Sequence, residues 1–520
     1  MASNLAPPPP NHTRHTLPPE SELRIEVPVG VTCTVTLRSG SGTSSSNNNS
    51  GGGSAEIFGA EIPPERPIPL TSTKVAIFTW HGCTLDISDE DKLDIVYVSE
   101  ETDANVAYVN THAQLEAMRD EALAALLPAN NPQQGMITDK SDSANKDIEG
   151  PRVLLVGPAD CGKSSLARVL SSYAVKLGRT PLLVDLDASQ NMLSVPGTMA
   201  VCPVSIDGIS ADSNGTASMM MGGGSNNAVM PFVLWYGSQD IKDNPDLYKA
   251  QLEKMGKTID ARLAGDVDAR ASGVIVNTSG MIEDVGYTYL LHAIVAFRIN
   301  VVIVMGHDRL YSMLGTHFKK QAQQLQGEDG VAVSKAAKQP KLIKLPRSGG
   351  VVSRDATFRR ALRSQCIKRY FYGDIIPPKS NDTTSSAATA NSTQYRYTPS
   401  LVEVSFADIQ LHQLSNISLS ASMLPVSAKQ STDPIQLTTL SKGDITPKLQ
   451  HAVFAVCHPS AVEKYEQSGR ARDLYLSGVA GFVAVEKVDV SKEVLSLLSP
   501  CVGSLPSLHL LVGDNITWVE

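Results

Sequence analysis

Short runs of alternating apolar and polar residues, separated by Gly or Pro, dominate the first hundred residues: ELRIEV, VTCTVTL, AEIFGAEI, KVAIFTW, CTLDI and IVYVS. A period of two turns one face of each run toward a core, as half-buried strands require. The pattern predicts an all-β N-terminal domain over residues 21–111. Ser, Gly and Asn fill 39–54, a low-complexity insert that reads as an expanded hairpin loop. Residues 1–20 are Pro-rich and polar and are expected to be disordered. HAQLEAMRDEALAALL (112–127) has helical composition and runs into a polar stretch, so 112–149 is read as helix and linker.

The period then changes. Between 150 and 395, purely apolar runs (VLLV, LLVDL, GVIVNT, NVVIVM) alternate with helical segments. Leu166, Val169, Leu170, Tyr173 and Leu177 form one predicted helix stripe, with Gly178 as its stop, and a second helix is expected near 286–298. Strands without polar alternation, separated by helices, imply a parallel sheet covered on both faces. The tracts 205–230 and 321–340 read as loops. From 400 to 520 the strand pattern returns in VEVSFADIQLH, HAVFAVCH, GFVAVEKVDV and LHLLVGD. The predicted class is α/β: a central parallel sheet, of P-loop NTPase type because residues 157–164 read G-x-x-x-x-G-K-[ST], flanked by an all-β N-terminal domain and a small β-rich C-terminal domain.

Composition narrows the chemistry. Hydrophobic residues make up 42% of the 520, enough for several cores, and the net charge of −8 disfavours a broad nucleic-acid surface. Any contact with RNA is then local. Seven widely spaced cysteines without a C-x-x-C pair give neither a zinc site nor a disulfide framework. The N-terminus lacks the apolar core of a signal peptide, and no apolar run is long enough to span a membrane, so the reading is an intracellular, reduced protein.

Gly157-Pro158-Ala159-Asp160-Cys161-Gly162-Lys163-Ser164, with Ser165 after it, fits G-x-x-x-x-G-K-[ST] between a predicted strand and a predicted helix. In such a loop backbone N–H groups turn toward phosphates, the lysine reaches the β and γ phosphates, and the hydroxyl holds Mg2+. Here those roles fall to Lys163 and Ser164. Asp185 and Asp187 end the next strand, where an acid serves the magnesium shell or accepts a proton. No N-K-x-D follows in this domain, which points away from GTP and toward ATP. Arg354, Arg359 and Arg363 lie in a basic segment; Arg359 and Arg363 are an i,i+4 pair suited to a lid over phosphates, or to a solvated helix face. Trp80 and Trp235 read as core, and His81 lacks partners at metal-ligand spacing.

With these residues in place, the whole chain resembles the Clp-type polynucleotide 5′-hydroxyl-kinase family, the ATP-binding subunit of the pre-mRNA cleavage and polyadenylation factor. SELRIEV, AEIFGAEI, TKVAIFTWHGCTL, GPADCGKSSLARVL, YAVKLGRTPLLVDLD, VPGTM, RSGGVV, FRRALR, RYFYGD and GFVAVEKVDV carry the resemblance, and the low-complexity inserts lie outside it. It implies that Glu22 and Lys74 contribute to an ATP site near the adenine, together with Asp160, Cys161, Gly162, Lys163, Ser164 and Ser165 of the loop. It implies Asp187, beside Gln190, as catalytic base and Arg354, Arg359 and Arg363 as lid. It further implies a scaffold subunit of the cleavage factor as partner, other 3′-end processing proteins, and a nuclear location. Active kinases of the family carry Gly around that Gln and a Trp after N-T-x-G that clamps the first RNA base; here Ser189, Asn191 and Met281 stand there. The expectation is an ATP-holding assembly subunit, the alternative an active RNA 5′-hydroxyl kinase. A small-molecule kinase is disfavoured by the β domains on either side.

Overall fold

The computed structural model describes residues 11–39, 53–127, 148–206, 209, 211, 230–326, 339–376, 394–414 and 434–518. Nearly all of the 39–54 insert, most of the linker before 150 and most of both central loop tracts fall outside them.

The alternating N-terminal runs become β1 (His12–Leu17), β2 (Ser21–Glu26), β3 (Thr32–Leu37), β4 (Glu56–Ile57), β5 (Ala60–Glu61), β6 (Pro67–Thr71), β7 (Lys74–Thr79), β8 (Cys83–Ser88) and β9 (Ile95–Ser99). They form two sheets, of order β1-β8-β3-β6 and β5-β4-β7-β2-β9. Leu23, Val35, Ile57, Ile68, Leu70, Ile77, Leu85 and Ile87 are fully buried in one core between them. The expected disorder of 1–20 fails for His12–Leu17, which pairs antiparallel with β8. Arg14 and Arg38 both reach the buried Asp86, each at 2.7 Å. Burial alone would raise that carboxyl; the two guanidiniums outweigh it and hold it below the usual range. A Pro-rich composition does not reveal a pairing partner seventy residues downstream. AEIFGAEI is not one strand but a tight hairpin, turning at Phe58 (φ 47°) and Gly59 (φ 82°).

Helix α1 (Asp103–Leu126) starts nine residues before the expected 112. Val106, Tyr108 and Val109 suggest a strand locally. The buried positions Ala104, Tyr108, Thr111, Leu115 and Ala122 nevertheless repeat at helical spacing. The fully buried Arg119 donates to the Ser272 carbonyl (2.9 Å), fixing α1 to the central domain.

That domain comprises β10 (Arg152–Val156), α2 (Lys163–Lys176), β11 (Leu182–Asp185), β12 (Thr198–Pro203), β13 (Phe232–Trp235), α3 (Pro245–Gly265), α4 (Val267–Ser272), β14 (Val274–Asn277), α5 (Val285–Ala296), β15 (Val301–Met305), α6 (Asp308–Gln326), β16 (Lys341–Leu345) and α7 (Ala356–Tyr372). The sheet order is β13-β12-β11-β14-β10-β15-β16. The five strands from β11 to β16 in that order are parallel; β12 and β13 extend the sheet antiparallel, so it is mixed. β10 lies between β14 and β15, which puts the loop after it at the centre of the sheet's carboxyl edge, where α/β folds bind ligands. Leu166, Val169 and Leu170 are buried as expected, but Leu177 is 59% exposed. The helix has ended one residue earlier, before Gly178 (φ 77°). The tract from 321 is helical as far as Gln326.

The two-residue strands β17 (Ile375–Ile376) and β18 (Gln394–Tyr395) lead to the last domain. Its β19 (Ser400–Ser405), β20 (Gln410–Leu414), β21 (Leu437–Thr439), β22 (Ala452–Cys457), β23 (Val479–Asp489), β24 (Val494–Ser499) and β25 (His509–Thr517) form one sheet, with α8 (Pro459–Ser468) and α9 (Ala471–Tyr475) after β22. It docks firmly on the central domain. Phe371 stacks on Trp518 with ring centroids 5.4 Å apart, and the Tyr370 hydroxyl accepts the Phe482 N–H (2.9 Å). Trp235 is fully buried near this junction. Trp80 is half-buried, edge-on to Phe78.

Candidate functional site

The loop between β10 and α2 is shaped by residues in left-handed backbone. Gly162 has φ 96°, Asp160 φ 52°, and Gly157 has φ 157°. A Cβ on Gly157 would meet the Met305 carbonyl at 2.7 Å and Cys161 Sγ at 2.8 Å, so only glycine fits against β15. Gly280 is equally constrained: its Cβ would lie 2.5 Å from the Ala159 nitrogen. The loop after β14 therefore presses on the phosphate-type loop backbone to backbone. Lys163 is buried, and its ammonium donates to the carbonyls of Gly157 (2.9 Å) and Pro158 (2.7 Å).

Beneath the loop runs a chain of polar groups. The Asn277 amide donates to Ser164 Oγ (3.3 Å) and to Asp185 Oδ1 (3.0 Å). Asp185 also accepts the N–H groups of Asp187 and Met192, at 3.0 and 2.7 Å. Burial, followed by the charge of Asp187, pushes its carboxyl up to about 7. Asp187 accepts the N–H groups of Ser189 and Gln190, and burial raises it against the opposing charge of Lys163. Of the two acids Asp185 is wholly enclosed, whereas Asp187 faces a cavity.

That cavity, about 490 Å3, joins two domains. The central domain contributes the whole loop from Ala159 to Ser165, with Asp187, Gln190, Met281, Arg354 and Arg359; the N-terminal domain contributes Glu22, Arg24, Lys74 and Tyr97. The structure thus brings Glu22 and Lys74 to the same space as Lys163 and Ser164. Glu22 is held by Arg24 Nε at 2.6 Å, and Lys74 by Glu26 at 2.7 Å with its ammonium 5.3 Å from the Phe358 ring centroid. Gly350 packs over the Glu22–Arg24 pair, where a Cβ would approach Arg24 Nε to 3.0 Å. Asp160, whose carboxyl burial would raise, is held below the usual range by the Arg354 N–H (3.1 Å) and the Arg359 guanidinium (2.6 Å). The i,i+4 pair divides at this point: Arg359 faces this cavity, Arg363 a second one on the far side of Arg354.

Arg24, Tyr97, Asn105 and the 348–352 loop also line the site and are absent from the sequence reading. The charge of Arg24 on a strand looks like any solvated face. The glycine pair of RSGG is the sequence signal that could have marked a close approach there. Asn191 is buried, its carbonyl accepting the N–H groups of Leu193 (2.8 Å) and Ser194 (3.0 Å), so it builds the turn after Gln190. Among the described residues no group of His, Cys, Asp and Glu forms a metal cluster, no helix is long and apolar enough to cross a membrane, and His81 is exposed.

Residues 157–373 match the family described as the mRNA cleavage and polyadenylation factor CLP1 P-loop. Residues 16–122 match an N-terminal beta-sandwich domain of polyadenylation factor, and 397–520 the pre-mRNA cleavage complex II protein Clp1. A protein CLP1 homolog of Arabidopsis thaliana is 33% identical over 476 residues, covering 90% of this chain and 88% of its own. The mRNA cleavage and polyadenylation factor clp1 of Aspergillus niger is 32% identical, covering 96% and 94%. A polyribonucleotide 5′-hydroxyl-kinase Clp1 of Danio rerio is 32% identical, covering 96% and 93%. The fold is also that of Clp1p solved with Pcf11p: TM-score 0.72 at 22% identity, over 98% of this chain and 99% of the other. A second such structure, concerned with the Clp1p–Pcf11p interface and with ATP loss in a point mutant, has TM-score 0.73.

Proposed function

The chain belongs to the Clp1 family of mRNA cleavage and polyadenylation factors, and from that premise we propose that it holds ATP as a structural ligand between its N-terminal and central domains. One observation carries this reading: Glu22, Arg24 and Lys74 of one domain and the 159–165 loop of the other line a single cavity. A nucleotide there touches both domains and is favoured only while they stay together, which is linkage between binding and domain docking.

The residues fit the ligand. Phosphate oxygens take the place of the Gly157 and Pro158 carbonyls as acceptors for Lys163, and the N-terminus of α2 adds its dipole. The buried Arg359 Nε lacks an acceptor and faces the same space, as expected of a donor awaiting a phosphate. Glu22 and Lys74 serve the base end. Mg2+ would be held at Ser164, oriented through Asn277 and Asp185, and would neutralise phosphate charge. The proposed partner is a scaffold subunit of the cleavage factor, a reading supported by the complex of Clp1p with Pcf11p, and the proposed place of action is the nucleus.

A kinase reading rests on Asp187, whose raised carboxyl faces the cavity within the reach of Arg354 and Arg359. In that reading Asp187 takes the proton of an RNA 5′-hydroxyl while Lys163, Arg354 and Arg359 stabilise the transferred charge. Met281 argues against efficient turnover, because a thioether offers no flat face to stack a base, a contact worth roughly 1–3 kcal/mol. Denaturing the freshly purified protein and identifying the released nucleotide separates the two. The structural role predicts intact ATP close to one per chain; an empty or ADP-bearing site overturns it.

A further inference from the structure

Beside the nucleotide cavity, behind Arg354, lies a smaller one of about 190 Å3. Its lining comes from the β6–β7 turn (Ser72, Thr73, Lys74), the start of α2 (Ser164, Ser165, Arg168), the loop after β11 (Gln190 to Met192), α7 (Leu362, Arg363, Gln365, Cys366, Arg369), and Gly373, Asp374, Arg396 and Tyr397. Six of its lining residues are cationic, namely Lys74, Arg168, Arg354, Arg363, Arg369 and Arg396. Among the described lining residues the one carboxylate is Asp374, joined to Arg369 at 2.5 Å. Lys74 has its own partner in Glu26.

This density of guanidiniums makes the cavity attractive to an anion. Burial pushes Arg168 down to about 10, with the charges of Arg354 and Arg369 adding to the effect and only Asp185 opposing them. Arg363 is lowered by burial and then by Arg360 and Arg359. Arg354 is lowered by burial and by Arg359, against Asp160. Guanidiniums present planar forks that match phosphate oxygens two at a time. Ser72, Thr73, Ser164, Ser165 and Gln365 add neutral polar groups to the walls. The space is less than half that of the nucleotide cavity, room for one or two phosphate groups and not for a base and sugar besides.

We propose that this second cavity binds a compact, multiply charged phosphate anion alongside ATP. The anion neutralises the facing guanidiniums and fastens α7 to the β6–β7 turn and to the loop carrying Gln190. It therefore acts as a second ligand of the lid.

The test is calorimetric titration of inorganic pyrophosphate into the full-length protein saturated with ATP, so that the first cavity is filled. Wild type is expected to bind, and the Arg369→Gln/Arg396→Gln double variant at least tenfold more weakly, with retention of ATP unchanged. Arg396→Gln alone changes an exposed residue and is expected to weaken binding about threefold, which guards against misfolding of the double variant. No heat of binding with wild type, or equal affinity in the variants, overturns the proposal. So does a 5′-hydroxyl oligoribonucleotide whose binding depends on the same arginines and is not displaced by pyrophosphate, since the cavity would then be part of an RNA track.

Discussion

Lys163 carries most of the phosphate chemistry in the proposed site. It is buried, with its ammonium turned to two backbone carbonyls and Cys161 Sγ (3.8 Å), so a bound anion would stabilise its charge further. Lys163→Ala is expected to abolish ATP retention. An equilibrium constant within about threefold of wild type, under ~0.7 kcal/mol, would show that the nucleotide sits elsewhere. The loop residues were legible because their spacing is itself the mechanism: Gly157 and Gly162 are required by positive φ and by contact with β15, constraints that leave a mark in any sequence. Glu22 was not legible in this way. Its placement in the cavity depends on Arg24 at 2.6 Å and on Gly350 from the other domain, and only the resemblance of SELRIEV drew attention to it. Arg363 differs. Helical spacing put it with Arg359, but α7 turns it into the neighbouring cavity.

At the scale of elements, strands and helices with a complete local period were readable, and those stabilised from afar were not. β10, β11, β14 and β15 are fully buried runs whose sequence alone marks them. β1 exists because β8 and the Arg14–Asp86–Arg38 cluster hold it, and β12 and β13 exist as an antiparallel extension of β11. The C-terminal sheet hides a similar long-range device. His412 on β20 is fully buried between Thr439 (3.1 Å) and His509 (3.0 Å), and burial, then the charge of His509, pushes it down to about 4. A histidine lowered on folding stays neutral while the unfolded chain protonates. Stability is therefore full above pH ~6.5 and is lost as pH falls through the window to 4, by at most about 3 kcal/mol for this residue. The melting temperature of wild type is expected to drop across that window more steeply than that of His412→Gln. Parallel profiles would remove His412 as the cause.

The whole molecule is organised around the contact between its domains. Glu56 on β4 receives the Tyr173 hydroxyl and Lys176 (3.2 Å) from α2, so the helix that begins at the phosphate loop ends against the N-terminal domain. At its far end α7, which carries Arg359 and Arg363, is anchored in the C-terminal domain by Tyr370 and Phe371. In the proposed function, ATP in the central cavity would then stabilise an arrangement of all three domains. Glu22→Gln with Lys74→Met is expected to weaken ATP binding about tenfold or more, two charged contacts being worth roughly 1.5–3 kcal/mol each before compensation. The same variant, which also leaves Arg24 and Glu26 without these partners and so lowers the nucleotide-free melting temperature, should lose most of the further rise that ATP gives wild type, each protein being compared with its own nucleotide-free form. An unchanged ATP-induced rise would detach the N-terminal domain from the nucleotide. The three-domain plan was readable from changes of period along the chain; the cavity between domains was not, because no local pattern encodes which surfaces meet.

The central claim is that the ATP is held and not spent. Proximity and alignment of a nucleophile supply on the order of 7–11 kcal/mol of barrier lowering, and a 5′ end without a clamp at position 281 forfeits part of it. The direct measurement loads the protein with γ-labelled ATP, adds a short 5′-hydroxyl RNA, and follows the label, with Met281→Trp and Asp187→Ala in parallel. The account predicts label remaining on protein-bound ATP, with transfer at least about a hundredfold below that of relatives bearing the clamp, a difference of roughly 2.7 kcal/mol. Rapid transfer to RNA by wild type that disappears in Asp187→Ala would contradict it and make the protein a working kinase.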